Sequence, residues 1–150
     1  MGCIKMKGEM IRYGNRGDLG LLKGHDTHIS GEELGNALEQ GRVLMAYEGQ
    51  KFAAWLRYHL FWDQIPFMSM LFCMEGKRGQ GYGGRLVDFW EGEMGRKGFG
   101  MVLTSTLSSE GAQHFYRKRG YVDCGSLLLP GEPLEIILRK ELVSDYEGQA

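Results

Sequence analysis

The stretch Arg78-Gly79-Gln80-Gly81-Tyr82-Gly83-Gly84 is where this sequence most plainly offers chemistry. It lies between a nearly continuous apolar run, Phe67 to Met74, and a segment with helical spacing, Arg85 to Lys97. The first turn of a helix leaves backbone N–H groups without intrahelical partners and carries a partial positive charge. Glycines at such a place let an anion's oxygens approach with no Cβ in the way. Arg78 adds a charge-assisted donor. The chemistry that suits these residues is the holding of a phosphate or pyrophosphate. The alternative is a glycine-rich connection with no ligand.

Two registrations of the glycines compete. Gly79-x-Gly81-x-x-Gly84 fits a dinucleotide fingerprint, which wants an acidic residue about 20 positions on. Here the next strand ends Thr104-Ser105-Thr106, and one further strand–helix step follows where a Rossmann half needs more. The other registration is Arg78-x-x-Gly81-x-Gly83. A second segment bears on it: Ala112-Gln113-His114-Phe115-Tyr116-Arg117-Lys118-Arg119-Gly120-Tyr121. In this order the two segments resemble the GCN5-related N-acetyltransferase (GNAT) family. Its acetyl-CoA signature is Arg or Gln, two residues, Gly, one residue, Gly or Ala. Its later helix runs Ala-x-x-Leu/Phe-Tyr-x-x-x-Gly-Phe/Tyr. The order of elements also matches, from about residue 10 to about residue 140.

The resemblance implies an α+β, GNAT-like acyl-CoA N-acyltransferase fold. Its central sheet would be mixed and mostly antiparallel, flanked by helices, with a splayed parallel strand pair that takes CoA. It implies an acetyl-CoA-dependent N-acetyltransferase that passes the acetyl group directly to an amine in a ternary complex, with acetyl-CoA as co-substrate and no metal. Residue by residue, the backbone at Phe72, Cys73 and Met74 would hold the pantetheine arm, as a peptide adds to a sheet edge. An N–H near Cys73 would point at the thioester carbonyl. Arg78, Gly79, Gly81, Gly83 and Gly84 would hold the pyrophosphate. Tyr116 matches the family's general acid, and a phenol with a pKa near 10 is protonated at neutral pH. Its alternative role is that of a core tyrosine on a face shared with Ala112 and Phe115.

Two departures from the family pattern stand out. Many members carry Asn at the start of the later helix, where this chain has Ser109, a residue able to cap the helix and donate one hydrogen bond. Histone-type members place a glutamate base on the splayed strand, where this chain has Ser69. His59, Asp63 and Glu75 remain as candidate bases acting through water.

Other residues offer chemistry of their own. Cys73 sits mid-strand with nothing adjacent in sequence to lower its pKa, and reads as core. Trp55, Arg57, His59 and Phe61 alternate and so share one strand face, either as part of an acceptor pocket with Asp63 or as ordinary sheet packing. His25-Asp26-Thr27-His28 reads as a polar loop, since no third metal ligand is evident. The nine methionines read as core filler.

The elements that must position these residues follow from spacing and turn chemistry. Met10 to Tyr13 is a strand, and Asp18 to Gly24 a short helix. Ser30-Gly31-Glu32-Glu33 matches a capping box, with Leu34, Ala37 and Leu38 at helical spacing and Gly41 as the stop. Val43 to Tyr47 and Lys51 to Phe61 form a hairpin around Glu48-Gly49-Gln50. A turn at Asp63 to Pro66 leads to the strand Phe67 to Met74, whose continuous apolarity predicts burial on both faces. The helix Arg85 to Lys97 carries Leu86, Val87, Trp90 and Met94 on one stripe. A strand from Gly100 to Thr106, a helix from Ser109 to Arg119, and strands from Tyr121 to Leu129 and Leu134 to Arg139 complete one domain over 1–150.

Composition narrows the function classes. The 150 residues carry a formal net charge of -1 and are 43% hydrophobic and 25% charged, which suits a globular domain and excludes a disordered tail. Near-neutral charge gives no support to nucleic-acid binding, and the apolar runs are too short to span a membrane. Glycine is abundant, 24 residues against roughly 7% in ordinary proteins, while proline numbers only 3. Cys3, Cys73 and Cys124 are too few and scattered for a disulfide framework or a zinc site. With no secretory signal, the reading is cytoplasmic. Met6 departs from the Ser or Thr of a myristoylation signal. The expected partner is a small-molecule or peptide amine, and exposed strand edges would permit a homodimer. The rival readings are a non-catalytic CoA-binding module of the same fold and a small dinucleotide-binding domain.

Overall fold

The computed structural model describes residues 4–6 and 9–143. Met1 to Cys3, the start of the segment compared with an acylation signal and the place of one cysteine, fall outside the described residues. The chain runs β1 (Ile4–Met6), β2 (Glu9–Tyr13), a 3-10 turn (Arg16–Asp18), α1 (Leu19–Lys23), α2 (Gly31–Glu39), β3 (Val43–Glu48), β4 (Lys51–Phe61) and β5 (Ile65–Cys73). It continues with α3 (Tyr82–Arg96), β6 (Met101–Leu107), α4 (Ala112–Lys118), β7 (Val122–Leu127) and β8 (Glu135–Glu141). Hydrogen-bonded neighbours in the sheet follow the order β1-β2-β3-β4-β5-β6-β8-β7. The pairs β1/β2, β2/β3, β3/β4, β6/β8 and β7/β8 are antiparallel, and β5/β6 is parallel. This is the mixed, mostly antiparallel α+β arrangement that the sequence led us to expect.

Local chemistry explains the boundaries. Ser30 Oγ accepts the Glu33 N–H at 3.1 Å and starts α2, whose first turn carries Glu32 and Glu33 where the helix dipole favours them. Leu34 and Leu38, one turn apart, are buried, and Gly41 at φ +71° ends the helix. Trp62 and Asp63 both have positive φ, 54° and 60°, the pattern of a tight hairpin turn matched to strand twist. The turn is therefore tighter than the predicted Asp63 to Pro66, and β5 already begins at Ile65.

The chain divides into two compact units, Met1–His59 with Met70–Trp90, and Leu60–Ser69 with Glu91–Ala150. In the first unit, Leu22, Leu34, Leu38, Val43, Met45 and Trp55 form a buried cluster. Met70 and Met74 pack against it. Asp26, 2% exposed, accepts the Arg57 Nε–H at 2.9 Å and the Trp55 indole N–H at 3.3 Å. The predicted polar loop at His25 to His28 thus hides a buried ion pair, because a carboxylate leaves water only when its charge and lone pairs are met. In the second unit, Val102, Leu103, Thr104 and Leu138 are buried in β6 and β8. Glu91 accepts the Tyr121 hydroxyl at 2.9 Å and the Lys140 ammonium at 2.7 Å.

Several expectations are corrected. β5 is not buried on both faces: only Pro66 and Met68 are buried in it, while Ser69 and Phe72 are exposed. Phe72 lays its ring against Trp55, centroids 5.2 Å apart, and stays 40% exposed. Apolarity in this strand marks contact with a few large side chains rather than enclosure. Helix α3 begins at Tyr82, three residues before the predicted start, so Gly83 and Gly84 belong to its first turn. Helix α4 begins at Ala112 behind Gly111, which makes no side-chain cap, so Ser109 lies in the preceding turn and does not cap. The short strand β1 was not anticipated.

Candidate active site

The glycine-rich segment turns sharply because Gly76, Gly79 and Gly81 adopt φ of +82°, +74° and +86°, a region that side chains with a Cβ seldom enter. The turn is fastened at several points. The Lys77 N–H donates to the Met74 carbonyl at 2.9 Å, and the Gln80 side-chain amide donates to the Gly76 carbonyl at 2.8 Å. Glu48, at the end of β3, accepts from Lys77 Nζ at 2.8 Å and from the Tyr82 hydroxyl at 2.9 Å. These two hydrogen bonds, Lys77 first, hold the Glu48 carboxyl below its ordinary range. One carboxylate at the end of β3 thus ties down both the turn and the first residue of α3.

Two guanidiniums border the turn. Arg78 lies over the Phe72 ring at 5.0 Å, with Nε 3.5 Å from the Cys73 carbonyl. Arg85 lies over the Tyr82 ring at 4.7 Å and donates to the Gln80 carbonyl at 3.1 Å. A Cβ placed on Gly81 would come within 2.7 Å of Arg85 Nη1, so a side chain there would move the guanidinium aside, while the φ of +86° is what favours glycine. The first turn of α3 contains no acidic residue. A backbone stripped of side chains, a helix start and two guanidiniums fit the charge and oxygen geometry of a diphosphate. Arg85 was not singled out from the sequence. Its position four residues after Gly81, one helical turn on, was the available signal.

The strand that leads into the turn contributes Phe72, Cys73 and the residue after it, Met74. Cys73 is the last residue of β5 rather than mid-strand. Burial pushes its thiol above the ordinary range, while a backbone hydrogen bond from Gly83 and the charges of Arg78 and Arg85 pull the other way. Met74 is occupied on both sides of its backbone: its N–H donates to the Ala53 carbonyl at 2.8 Å, and its carbonyl accepts from Lys77. Ser69 is exposed, with Oγ 3.5 Å from the Phe67 carbonyl.

Tyr116 belongs to the second unit. It is 6% exposed, with ring contacts to Phe115 at 5.2 Å and Tyr121 at 5.5 Å. Burial raises its pKa, a hydrogen bond with the Thr104 side chain opposes the shift, and Glu110 adds to it. The phenol is protonated at neutral pH. Thr104 Oγ1 in turn donates to the Met68 carbonyl at 3.0 Å. The parallel register of β5 with β6 consists of Phe67↔Leu103 and Met68↔Thr104. Tyr116, Thr104 and Met68 therefore converge where that register ends. Two residues further along the same face of β6, Thr106 Oγ1 is buried with no hydrogen-bond partner among the described residues. Thr104 and Thr106, two apart and so on one strand face, were the sequence signal for both. Ser109 is exposed in the turn before α4.

Of the candidate bases, Asp63 and Glu75 are exposed. The His59 imidazole is held below its ordinary pKa by burial, then by the charges of Arg57 and Arg42. Trp55 is 1% exposed, and Arg57 is committed to Asp26, so on this strand face the first two residues serve packing. Among the described residues no group of three or more His, Cys, Asp or Glu side chains gathers as a metal site, and no helix is long and apolar enough to cross a membrane.

A model of the acetyltransferase (GNAT) family matches residues 21–121. No curated protein sequence matches the chain significantly. Among solved structures, Ard1 from Thermoplasma volcanium superposes with a TM-score of 0.77 at 12% identity, covering 91% of this chain and 99% of that one. The ribosomal-protein-S18-alanine N-acetyltransferase from Escherichia coli gives 0.77 at 15% identity, covering 95% and 99%. Arabidopsis thaliana Naa50, in complex with the bisubstrate analogue CoA-Ac-MVNAL, gives 0.74 at 14% identity, covering 89% and 98%. The chain belongs to the acetyltransferase (GNAT) family. Its enzyme class is that of the N-acetyltransferases within the acyltransferases. Among the described residues the pairs β1/β2, β2/β3, β3/β4, β6/β8 and β7/β8 are antiparallel, which is not the doubly wound parallel sheet that a dinucleotide registration belongs to.

Proposed function

We propose that this protein transfers an acetyl group from acetyl-CoA directly to an amine, with both substrates bound at once in a single domain spanning 1–150. The observation that carries the reading is the meeting of Tyr116, Thr104 and Met68 at the end of the β5/β6 register. Arg78, Gly79, Gly81, Gly83 and Gly84, joined by Arg85, would hold the pyrophosphate. The backbone of Phe72 and Cys73 would hold the pantetheine arm. Met74, its amide and carbonyl already engaged, would shape that end rather than pair with it. Ser109 would donate one hydrogen bond to the arm, and the unpartnered Thr106 hydroxyl a second.

The acceptor nitrogen, deprotonated, attacks the thioester carbonyl. The new C–N bond forms, the C–S bond breaks, Tyr116 gives its proton to the departing thiolate, and the proton that the acetylated nitrogen sheds passes through water to restore the phenol. A buried phenol kept protonated suits that task and no basic one. Peptide amino termini are the first acceptors to test, since two of the structural relatives are described by an alanine acceptor of a ribosomal protein and by a peptide conjugate.

Thermal unfolding with acetyl-CoA, CoA and NAD in parallel tests the reading. Ligand at about 100 times its Kd adds about 2.7 kcal/mol to the native state, several degrees in Tm. A rise with acetyl-CoA and none with NAD is expected. No rise with acetyl-CoA well above micromolar concentration would overturn the assignment before any acceptor is sought.

A further inference from the structure

A cavity of about 290 Å³ in the first unit lies between α2 and the ends of β3 and β4. That is near the lower end of the volumes, roughly 300–1,000 Å³, that take small molecules. Its wall carries an uneven set of charges. Arg42 and His59 line it beside Arg57, and both guanidiniums act on the His59 imidazole with a positive potential. Arg57 is balanced by the buried Asp26 through its Nε and Nη2. Arg42 is not balanced: among the described residues its guanidinium makes no hydrogen bond or ion pair.

The Arg42 backbone is nevertheless fixed. Its N–H donates to the Ala37 carbonyl at 2.9 Å, and its carbonyl accepts the Tyr58 N–H at 3.0 Å. A cation thus lines the cavity from a fixed backbone. The side-chain amides of Asn36 and Gln40 supply further donors, and Ile29 and Ala37 supply an apolar wall. Glu33 lines the same cavity. On α2 it precedes Gln40 by seven residues, about two turns or 10 Å along the axis. One cationic end and one anionic end suit a ligand with a single negative charge and disfavour a second.

We infer that this cavity is a binding site for a monocarboxylate with a short apolar chain. Arg42 would hold the carboxylate with help from the Asn36 and Gln40 amides, and the carbon chain would lie on Ile29 and Ala37. No residue of the glycine turn lines this cavity, and its occupancy does not require acetyl transfer.

The test is a two-dimensional ¹H–¹⁵N titration of the full chain with propionate, propionamide and succinate at constant ionic strength. Propionate should shift the resonances of Ala37, Gln40, Arg42 and His59 saturably, and propionamide should not. Succinate should bind more weakly than propionate, and Glu33→Gln should narrow that gap. Arg42→Gln, with a dispersed spectrum, should weaken propionate about tenfold or more, the loss of one charge-assisted hydrogen bond. Equal shifts with propionamide, succinate binding as tightly as propionate, or unchanged affinity in Arg42→Gln would each overturn the site. Should Arg42→Gln lose its dispersion, the wild-type ligand series and Glu33→Gln decide alone.

Discussion

A tyrosine held in a protein interior is usually a packing residue, and Tyr116 has the ring contacts of one. Its hydroxyl separates it from that majority. It meets Thr104, and Thr104 donates to the last β5 carbonyl in register with β6. Tyr116→Phe keeps the ring packing and removes only the proton donor. We expect kcat to fall about a hundredfold, within the range of positioned acids, with the acetyl-CoA Kd within about twofold of wild type. Wild-type turnover in that variant would return Tyr116 to the core. Cys73 illustrates the opposite case. Burial makes its thiol a poorer source of thiolate, so the strand end offers backbone rather than a nucleophile.

At the scale of elements, the turn between β5 and α3 is determined by backbone conformation more than by side chains. Gly81 combines φ of +86° with an Arg85 guanidinium where its Cβ would go. Gly81→Ala should cost about 1–2 kcal/mol of stability through strain. It should also weaken acetyl-CoA about tenfold or more by displacing Arg85 and the turn backbone. Titration calorimetry reads the acetyl-CoA affinity directly, and a Kd equal to wild type would move the cradle off this turn. The segment between α1 and α2 shows a different kind of control. Asp26 is tied across to β4 by Arg57 and Trp55, so the connection is pinned by a buried charge pair rather than by its own hydrogen bonds alone.

For the molecule as a whole, two buried phenols in the second unit set its alkaline limit. Burial and the neighbouring Glu91 raise the pKa of Tyr121, and burial first of all raises that of Tyr116. In the unfolded chain both would lose their protons near pH 10, while the fold keeps them bound. The unfolded state then binds fewer protons, so this stability is complete below about pH 10 and is lost as pH rises further. Tm should therefore decline above about pH 10, and Tyr121→Phe should flatten the decline. An identical slope in the variant would locate the alkaline loss elsewhere. The acid side has a counterpart in Asp18, whose carboxyl the Arg12 guanidinium holds below its ordinary range, with stability lost as pH falls through that lowered value.

Much of this protein was legible from its residues because the determining interactions are local. Ser30, the Leu34–Leu38 spacing and Gly41 specify α2, and the stripe Leu86, Val87, Trp90 and Met94, all fully buried, specifies α3. The glycines before α3 and the Ala112 to Tyr121 pattern pointed to acyl transfer from CoA, and the family assignment rests on the span containing both. What the sequence left undecided depends on partners distant along the chain. Asp26 read as a solvated loop residue because Arg57, 31 positions away, supplies the charge that lets it be buried. Phe67 to Met74 read as enclosed because apolar spacing records side-chain type, not how far a neighbouring strand follows. Ser109 read as a cap, but the helix starts later, at Ala112, with Gly111 in the capping position. Thr104, Thr106 and Arg42 gained meaning only once folding placed a phenol, a strand end and a cavity beside them. Periodicity and turn chemistry set the elements, whereas the pairing of buried charges and hydroxyls was decided by tertiary structure, where long-range contacts supply the partners that burial demands.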